Sequence, residues 1–332
     1  MTTNRIAILG AGAWGTALGV TLARSGRAVT LAIRRRAQLE ALRSAAENAA
    51  YLPGVAIPPT LALTDDWRAA VTGAATVVMA VPSRMARAAF APVAPTIARD
   101  ATIVSVTKGV EADTLMTMTR MIAEAAPPAA RVAALSGPGF AAEVARGKPA
   151  ALVAAAADPA IARQVQALFA TSALRVYRSA DVVGVELGGV IKNVIAIAAG
   201  ISDGLDLGSS ARAALITRGL AEMTRLAVAA GGRAETMAGL AGLGDLILTC
   251  TGALSRNRAL GLRLAAGAPY TETAADGQVA EGAVSAQAVR AIAAKHGAET
   301  PIVAAVCRVL YEAAPATAMV EELLSRQLKA EF

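Results

Sequence analysis

Histidine occurs once and cysteine twice in the 332 residues, aromatic side chains make up 3% of the chain and charged ones only 17%. Each scarcity removes a class of protein. Two cysteines, Cys250 and Cys307, cannot build a disulfide framework, so a reducing, cytoplasmic setting is expected. His296, the only histidine, follows Lys295 near an expected helix end, and without a His/Cys cluster no metal site is expected. No Lys/Arg stripe interleaved with aromatics is present, which argues against nucleic-acid binding. Hydrophobic residues, by contrast, reach 55%, enough to bury a large core and to exclude intrinsic disorder. A surplus of 32 Lys and Arg over 25 Asp and Glu leaves a formal charge of +7, which favours anionic partners such as phosphorylated metabolites, nucleic acid or lipid headgroups.

So apolar a chain raises the membrane question. Residues 1–23 have the outline of a signal peptide, but Gly10, Gly12, Gly15 and Gly19 interrupt the apolar run and a strand-like segment follows at once. The longest apolar stretch, Val182 to Ile201, has the length of a spanning helix. It carries Glu186 and Lys192 near its middle, each costing roughly 3 kcal/mol at a bilayer centre. A buried helix with two functional polar residues is therefore expected, and no integral membrane segment.

Short Val/Ile/Leu-rich runs alternate with helix-like segments in the first half, the pattern of a parallel sheet built from βαβ units. The expected strands are Arg5–Leu9, Ala28–Ile33, Leu61–Thr64, Thr76–Val81, Thr102–Val106, Val132–Leu135, Ala150–Ala155 and Leu174–Tyr177. Helices are expected between them, among them Trp14–Ser25, Arg35–Asn48, Arg84–Ala94, Asp113–Ala125 and Pro159–Ala170. After about Ala180 the strand signal stops and alanine-rich helical stretches take over. The expected fold class is α/β: a Rossmann-type parallel-sheet domain over residues 1–179, followed by an all-helical domain over 180–332.

The first strand runs into Gly10-Ala11-Gly12-Ala13-Trp14-Gly15, a G-x-G-x-x-G loop opening a helix. Gly10 permits the tight turn, Gly12 lets the backbone approach a pyrophosphate, and Gly15 lets helix and strand pack closely. The pyrophosphate then meets the free N–H groups and dipole of the helix N-terminus. Where an NAD-specific site usually has Asp or Glu on the ribose, this chain has Arg34-Arg35-Arg36. Guanidinium groups there suit a 2′-phosphate, so NADP(H) is favoured with Arg34 and Arg35 as readers, and NAD(H) stays open.

Four further segments look unlike packing sequence. Thr107-Lys108-Gly109 puts a lysine beyond a strand's C-terminal end, where open α/β sheets bind ligands. Ser136-Gly137-Pro138-Gly139 is a second strand-to-glycine turn whose N–H groups suit an oxygen ligand. In Glu186-Leu-Gly-Gly-Val-Ile-Lys192-Asn193, two helical glycines one turn before the lysine would clear space beside it for a ligand, at roughly 1 kcal/mol each relative to alanine. Gly242-Leu-Gly-Asp245 precedes Ser255-Arg256-Asn257, where Ser255 would cap a helix starting near Arg258 and Arg256 would clamp a phosphate.

Together these segments resemble the bacterial NAD(P)-dependent glycerol-3-phosphate dehydrogenases. The likeness also runs through Asn48-Ala-Ala-Tyr51-Leu-Pro-Gly, Ala214-Leu-Ile-Thr-Arg-Gly-Leu-Ala-Glu-Met and Ala241-Gly-Leu-Gly-Asp-Leu, and is most specific around Lys192. It implies a Rossmann domain, a helical domain and an active site between them, reducing dihydroxyacetone phosphate reversibly to sn-glycerol 3-phosphate for glycerophospholipid synthesis. It implies Lys192 as general acid/base, Lys108 on both cofactor and substrate, and Gly137, Gly139, Asn193, Asp245, Ser255, Arg256 and Asn257 on the substrate. Asp245 is grouped with the two lysines as catalytic. Ala13, Trp14, Arg34, Ala141, Arg256, Val279 and Glu281 fall on cofactor positions, and a homodimer is implied. Three residues depart from the family pattern: Gly139 replaces a hydroxyl residue, Ala13 a common serine, and Ser209-Ser210 an Asp-Asn pair.

A lysine of ordinary pKa, about 10.4, is a poor base at neutral pH. Burial and a second cation at Lys108 are expected to lower that of Lys192. Two rival readings are a related two-domain β-hydroxyacid or ketopantoate-type dehydrogenase, which would want a carboxylate clamp, and a Rossmann redox sensor that binds NADP(H) without turnover.

Overall fold

A computed structural model describes residues 5–128, 130–270, 280–328 and 330. The chain divides into two compact units, residues 1–186 and 187–332. The first unit holds eight strands, β1 (Ile6–Leu9), β2 (Val29–Ala32), β3 (Leu61–Thr64), β4 (Thr76–Met79), β5 (Thr102–Ser105), β6 (Arg131–Ser136), β7 (Ala150–Ala155) and β8 (Leu174–Ser179). Its helices are α1 (Ala13–Arg24), α2 (Arg36–Ala45), α3 (Trp67–Val71), α4 (Ser83–Phe90), α5 (Met118–Ala125), α6 (Ala141–Ala145) and α7 (Pro159–Phe169). The strands form one sheet in the order β3-β2-β1-β4-β5-β6-β7-β8. The first six positions of that order are the Rossmann arrangement.

Successive residues of these strands feed two different cores. Ile6, Ile8, Val78 and Val104 join one buried cluster with Leu18 and Leu22 of α1, while Ala7, Leu9, Val77, Met79 and Ile103 join another with Phe90 and Met121. A sheet covered on both faces needs apolar residues at nearly every strand position, which is why the strands read as continuous hydrophobic runs rather than alternating ones.

The sheet is parallel, as expected, except at one place: β7 runs antiparallel to β6, with Ala134 opposite Ala155 and Ser136 opposite Val153. The connection contains only the five-residue α6. At 1.5 Å per residue that helix covers roughly 7.5 Å against about 20 Å for the six-residue strand beside it, so the connection lacks the long crossover helix that usually joins parallel neighbours. The next strand therefore returns alongside β6, and the Gly137–Gly139 turn stays at the sheet's C-terminal edge with the loops after β1 and β5. The helix expected from Asp113 begins instead at Met118, because Leu115 at φ +59 and a bridge between Val110 and Thr117 make the preceding segment a tight loop.

Helix α8 (Val182–Gly204) crosses the division between the units. It is the one helix among the described residues long and apolar enough to span a membrane, and 89% of its most apolar window is buried within the protein. The second unit continues with α9 (Gly208–Ala229), α10 (Ala234–Ala238), a π-helical turn at Leu240–Gly244, α11 (Asp245–Thr251), α12 (Arg256–Ala265), α13 (Glu281–Lys295), α14 (Pro301–Tyr311) and α15 (Ala316–Ser325). Helices α8 and α12 touch backbone to backbone: a Cβ on Gly200 would lie 2.1 Å from the Arg258 carbonyl oxygen, and one on Gly261 would lie 2.1 Å from that of Ile197.

A buried carboxyl closes the start of α14. Glu222 of α9 is 1% exposed and accepts from the backbone N–H of Ile302 at 2.7 Å, where Thr300 provides no side-chain cap. Burial pushes its pKa up to about 7 against the backbone donors that favour the anion. A carboxyl whose folded pKa lies above its unfolded value stabilises most when protonated, so this contribution is full below about pH 4.5 and is lost as pH rises towards 7. Urea unfolding of the wild type and Glu222→Gln between pH 5 and 7.5 is expected to differ in pH slope, the wild type losing about 2 kcal/mol relative to the variant. Parallel slopes would contradict this.

Candidate functional site

In the first unit the three glycines of the β1–α1 loop separate by what surrounds them. Gly10 has φ +111, and a Cβ there would stand 2.6 Å from the Ala80 carbonyl oxygen. A Cβ on Gly15 would stand 2.0 Å from the Gly10 carbonyl oxygen. Both are required by the protein's own packing. Gly12 has φ −74 and nothing within 4 Å of its Cβ position. No internal constraint demands glycine there, so the room it leaves fits a group from outside, which is the cradle that a dinucleotide pyrophosphate needs. Ala13 and Trp14 open α1 and are half-buried.

The three arginines after β2 have different company. Arg36 meets Glu40 at 3.0 Å and Asp65 at 3.1 Å. Arg35 donates to the Tyr51 hydroxyl at 2.9 Å. Arg34 is exposed, with a guanidinium nitrogen 3.9 Å from Met85 Sδ.

The structure brings Lys108 and Gly137 together: Lys108 Nζ donates to the Gly137 carbonyl at 3.0 Å. The lysine's segment is held on both sides. Thr107 Oγ1 donates to the Val81 carbonyl at 2.8 Å, and Arg87 grips Glu111 with two bonds of 2.6 and 2.8 Å, which holds the Glu111 carboxyl below the usual range. Gly139 packs against Trp14, whose ring lies 3.3 Å from a Cβ built on the glycine. A side chain at this position would touch the end of that ring, which would have to give by a few tenths of an ångström, and nothing around Gly139 explains its departure from the family pattern. Ala141 is the first residue of α6.

In the second unit, Lys192 and Asp245 form a buried pair. Lys192 is 6% exposed and Asp245 1%, with Nζ and Oδ1 3.0 Å apart. Lys192 Nζ also donates to Thr249 Oγ1 at 2.6 Å, and that hydroxyl donates to the Asp245 carbonyl at 2.6 Å. Thr249 completes this cluster and is a residue that the sequence reading passed over, although it lies one turn after Asp245 on the same face of α11. The charge beside Lys192 in this unit is thus a carboxylate, which favours the ammonium form and opposes the effect of burial.

The expectation that Gly188 clears space for a ligand is corrected. Its missing side chain is replaced by the Ala241 carbonyl oxygen, 2.6 Å from the Cβ position. That carbonyl belongs to the π-helical turn that delivers Asp245, so the glycine lets the carboxylate's own segment approach α8. Asn193 and Asn257 face one another: Asn257 Nδ2 donates to Asn193 Oδ1 at 2.9 Å, and Asn257 Oδ1 accepts from Gly282 N–H at 2.8 Å. Ser255 caps α12, accepting from Arg258 N–H at 3.2 Å, and Arg256 is that helix's exposed first residue. Glu281 opens α13, and Val279 lies outside the described residues. Ser209 and Ser210 are exposed in the first turn of α9, and nothing around them explains their departure from the family pattern. Cys250, beside Thr249, is a buried thiol pushed up to about 12 by that burial and therefore inert.

The sequence matches two family models. One is described as NAD-dependent glycerol-3-phosphate dehydrogenase N-terminus, over residues 5–162, and the other as the C-terminus of the same, over residues 181–321. A curated relative from Geobacter sp. (strain M21), named glycerol-3-phosphate dehydrogenase (NAD(P)+), is 50% identical over 331 residues and 99% of each chain. One of the same name from Thiobacillus denitrificans is 50% identical over 329 residues, 99% of this chain and 100% of its own. Among solved structures, a glycerol-3-phosphate dehydrogenase from Coxiella burnetii aligns with a TM-score of 0.92 at 40% identity, over 98% of this chain and 100% of its own.

The glycine comparison separates packing from binding. Gly15→Ala is expected to lower the thermal midpoint by several degrees, whereas Gly12→Ala is expected to leave it within about 2 °C. Gly12→Ala should instead weaken NADPH binding by tenfold or more. Equal midpoint losses in the two variants would refute the distinction.

Proposed function

The chain belongs to the NAD-dependent glycerol-3-phosphate dehydrogenase family, and from that premise we propose that it reduces dihydroxyacetone phosphate reversibly to sn-glycerol 3-phosphate, with NADP(H) favoured and NAD(H) possible. The family match over both units displaces the β-hydroxyacid or ketopantoate alternative. The observation that carries the chemistry is the buried Lys192–Asp245–Thr249 cluster, in which α8 supplies the lysine and α11 the carboxylate and the hydroxyl. A bound nicotinamide dinucleotide supplies the hydride.

Lys192 handles the proton. As the C2 carbonyl of the substrate gains negative charge, an ammonium beside its oxygen stabilises that charge and then donates the proton that completes the hydroxyl. Asp245 keeps the ammonium charged before that moment, and Thr249 fixes its direction by accepting one of its three N–H bonds. In the reverse direction, the neutral amine left after proton loss to solvent takes the hydroxyl proton back. Arg256, at the N-terminus of α12 beside Ser255 and Asn257, supplies charge and dipole for the substrate phosphate. Asn193 completes the substrate side, and Lys108, with the Gly137–Gly139 turn, bears on both substrate and cofactor. Gly10, Gly12, Ala13, Trp14 and Gly15 hold the cofactor diphosphate, Arg34 and Arg35 read its ribose, and Ala141, Arg256, Val279 and Glu281 complete that site. A cytoplasmic location, a homodimer and a place in glycerophospholipid synthesis belong to the same proposal and rest on the family membership.

Oxidation of NADPH and of NADH with dihydroxyacetone phosphate, followed by absorbance, tests the activity; no oxidation of either would overturn it. Lys192→Ala is expected to lower kcat by about 10²- to 10⁴-fold, the range for a lost general acid, with the dissociation constant for NADPH preserved. Arg256→Ala should raise KM for dihydroxyacetone phosphate by roughly 10- to 100-fold, the worth of a charge-assisted hydrogen bond. An unchanged KM would remove Arg256 from the phosphate site.

A further inference from the structure

The glycine loop is held from behind. The Ala11 carbonyl oxygen accepts two side-chain amides, Gln38 Nε2 from α2 at 2.9 Å and Asn48 Nδ2 at 3.0 Å. Asn48 is fully buried, and its second N–H reaches Thr16 Oγ1 in the first turn of α1 at 2.8 Å. Its own Oδ1 has no hydrogen-bond partner among the described residues. An acceptor buried without a partner is costly, and a site that tolerates it is keeping the amide for its donors.

Covalent geometry turns this clamp into a statement about the loop. In a trans peptide the C=O of one residue and the N–H of the next point in opposite directions. Two donors fixed on the Ala11 carbonyl therefore aim the Gly12 N–H the other way, from the very residue whose Cβ position is open for 4 Å. A loop with the sequence Gly-Ala-Gly has wide freedom to rotate that peptide plane. Without the clamp, the carbonyl, whose partial negative charge would repel a phosphate, can turn to the ligand side.

We propose that Asn48, assisted by Gln38, is a positioning residue for the dinucleotide diphosphate: it presets the Ala11–Gly12 peptide so that N–H rather than C=O faces the phosphates. This rests on the dinucleotide reading given above. Asn48 does not touch the cofactor in this scheme; it acts by removing the cost of ordering the loop on binding. The turn that starts at Asn48, where Tyr51 and Leu52 N–H both donate to its carbonyl, also carries the Tyr51 hydroxyl that Arg35 engages. Loop clamp and ribose-side arginine thus share one short segment.

The test is calorimetric titration of NADPH into the wild type, Asn48→Ala, Asn48→Asp and Gln38→Ala, with steady-state constants for both substrates. The expected result is a tenfold or larger rise in the dissociation constant and KM for NADPH in both Asn48 variants and about threefold in Gln38→Ala, with KM for dihydroxyacetone phosphate moved less than twofold. Gln38 sits half-exposed on a surface helix, so its variant reports even if the buried substitutions fail to fold. Unchanged NADPH affinity in Gln38→Ala and in every folded Asn48 variant, while the wild type binds, overturns the clamp and leaves the dehydrogenase reading standing. A general loss across both substrates would mark Asn48 as a packing residue and equally overturn it. Failure of the wild type to bind either dinucleotide removes the dehydrogenase reading and the clamp together.

Discussion

A positive charge with almost no access to water is the constraint on which the helical unit depends. Lys192 sits on a helix whose neighbouring positions are Val190, Ile191, Val194 and Ile195, all at most 1% exposed. An ammonium in such surroundings survives only with a counter-charge and hydrogen-bond acceptors close by, and removing one partner of a buried pair costs about 3–5 kcal/mol. Asp245 and Thr249 meet that need from a single turn of α11. The approach of α11 in turn needs the π-helical turn before it, and the turn needs Gly188, because any side chain there would meet the Ala241 carbonyl. A π-turn is a poorer hydrogen-bonding arrangement than an α-helix and is retained mostly at functional sites. Here it re-aims the start of α11 so that a carboxylate reaches the lysine.

The same economy of side chains shapes the rest of that unit. Gly200 and Gly261 let α8 and α12 cross at backbone contact, and Gly282 brings α13 close enough that its missing Cβ lies 2.4 Å from the Asn193 carbonyl oxygen. With helices this close, short polar side chains can reach between them. Asn193, Asn257 and the Gly282 N–H form a line of hydrogen bonds across three helices, and every polar atom in that line is buried with a partner. Larger residues at the crossings would hold the helices apart and leave those amides unsatisfied, at about 1–3 kcal/mol for each orphaned group.

Much of the architecture was legible in the sequence. All eight strands were anticipated to within two residues at each end, because a sheet covered on both faces writes itself as unbroken Val/Ile/Leu runs. The direction of β7 was not, since direction depends on whether the connection forms a crossover helix, and a five-residue helix such as α6 leaves little periodicity to read. Ser255 was legible as a cap because capping is local. The Lys192–Asp245 contact was not, because it joins two segments far apart in the chain, and Gly188 was misread for a related reason. A glycine announces that something comes close, whereas only the fold tells whether that is a ligand, as the open space at Gly12 suits, or a carbonyl of the same chain, as at Gly188.

Charge allocation carries the reading one step further. The surplus of basic residues suggested anionic partners, but a surplus is informative only once the cations committed to the fold are set aside. Arg36 is committed to Glu40 and Asp65, Arg87 to Glu111 and Glu124, and Arg258 together with Arg212 to Asp203. Among the described residues, Arg34 and Arg256 form no ion pair, and each stands at a position where a phosphate is proposed. Arg34 follows the strand whose end meets the ribose in Rossmann sites, and Arg256 starts a helix whose dipole already favours an anion. A carboxylate beside either would compete with the ligand phosphate for the same guanidinium. Arg36, two residues along from Arg34, is held by two carboxylates, whereas Arg34 and Arg256 have none, which suits the phosphate-binding roles proposed for them.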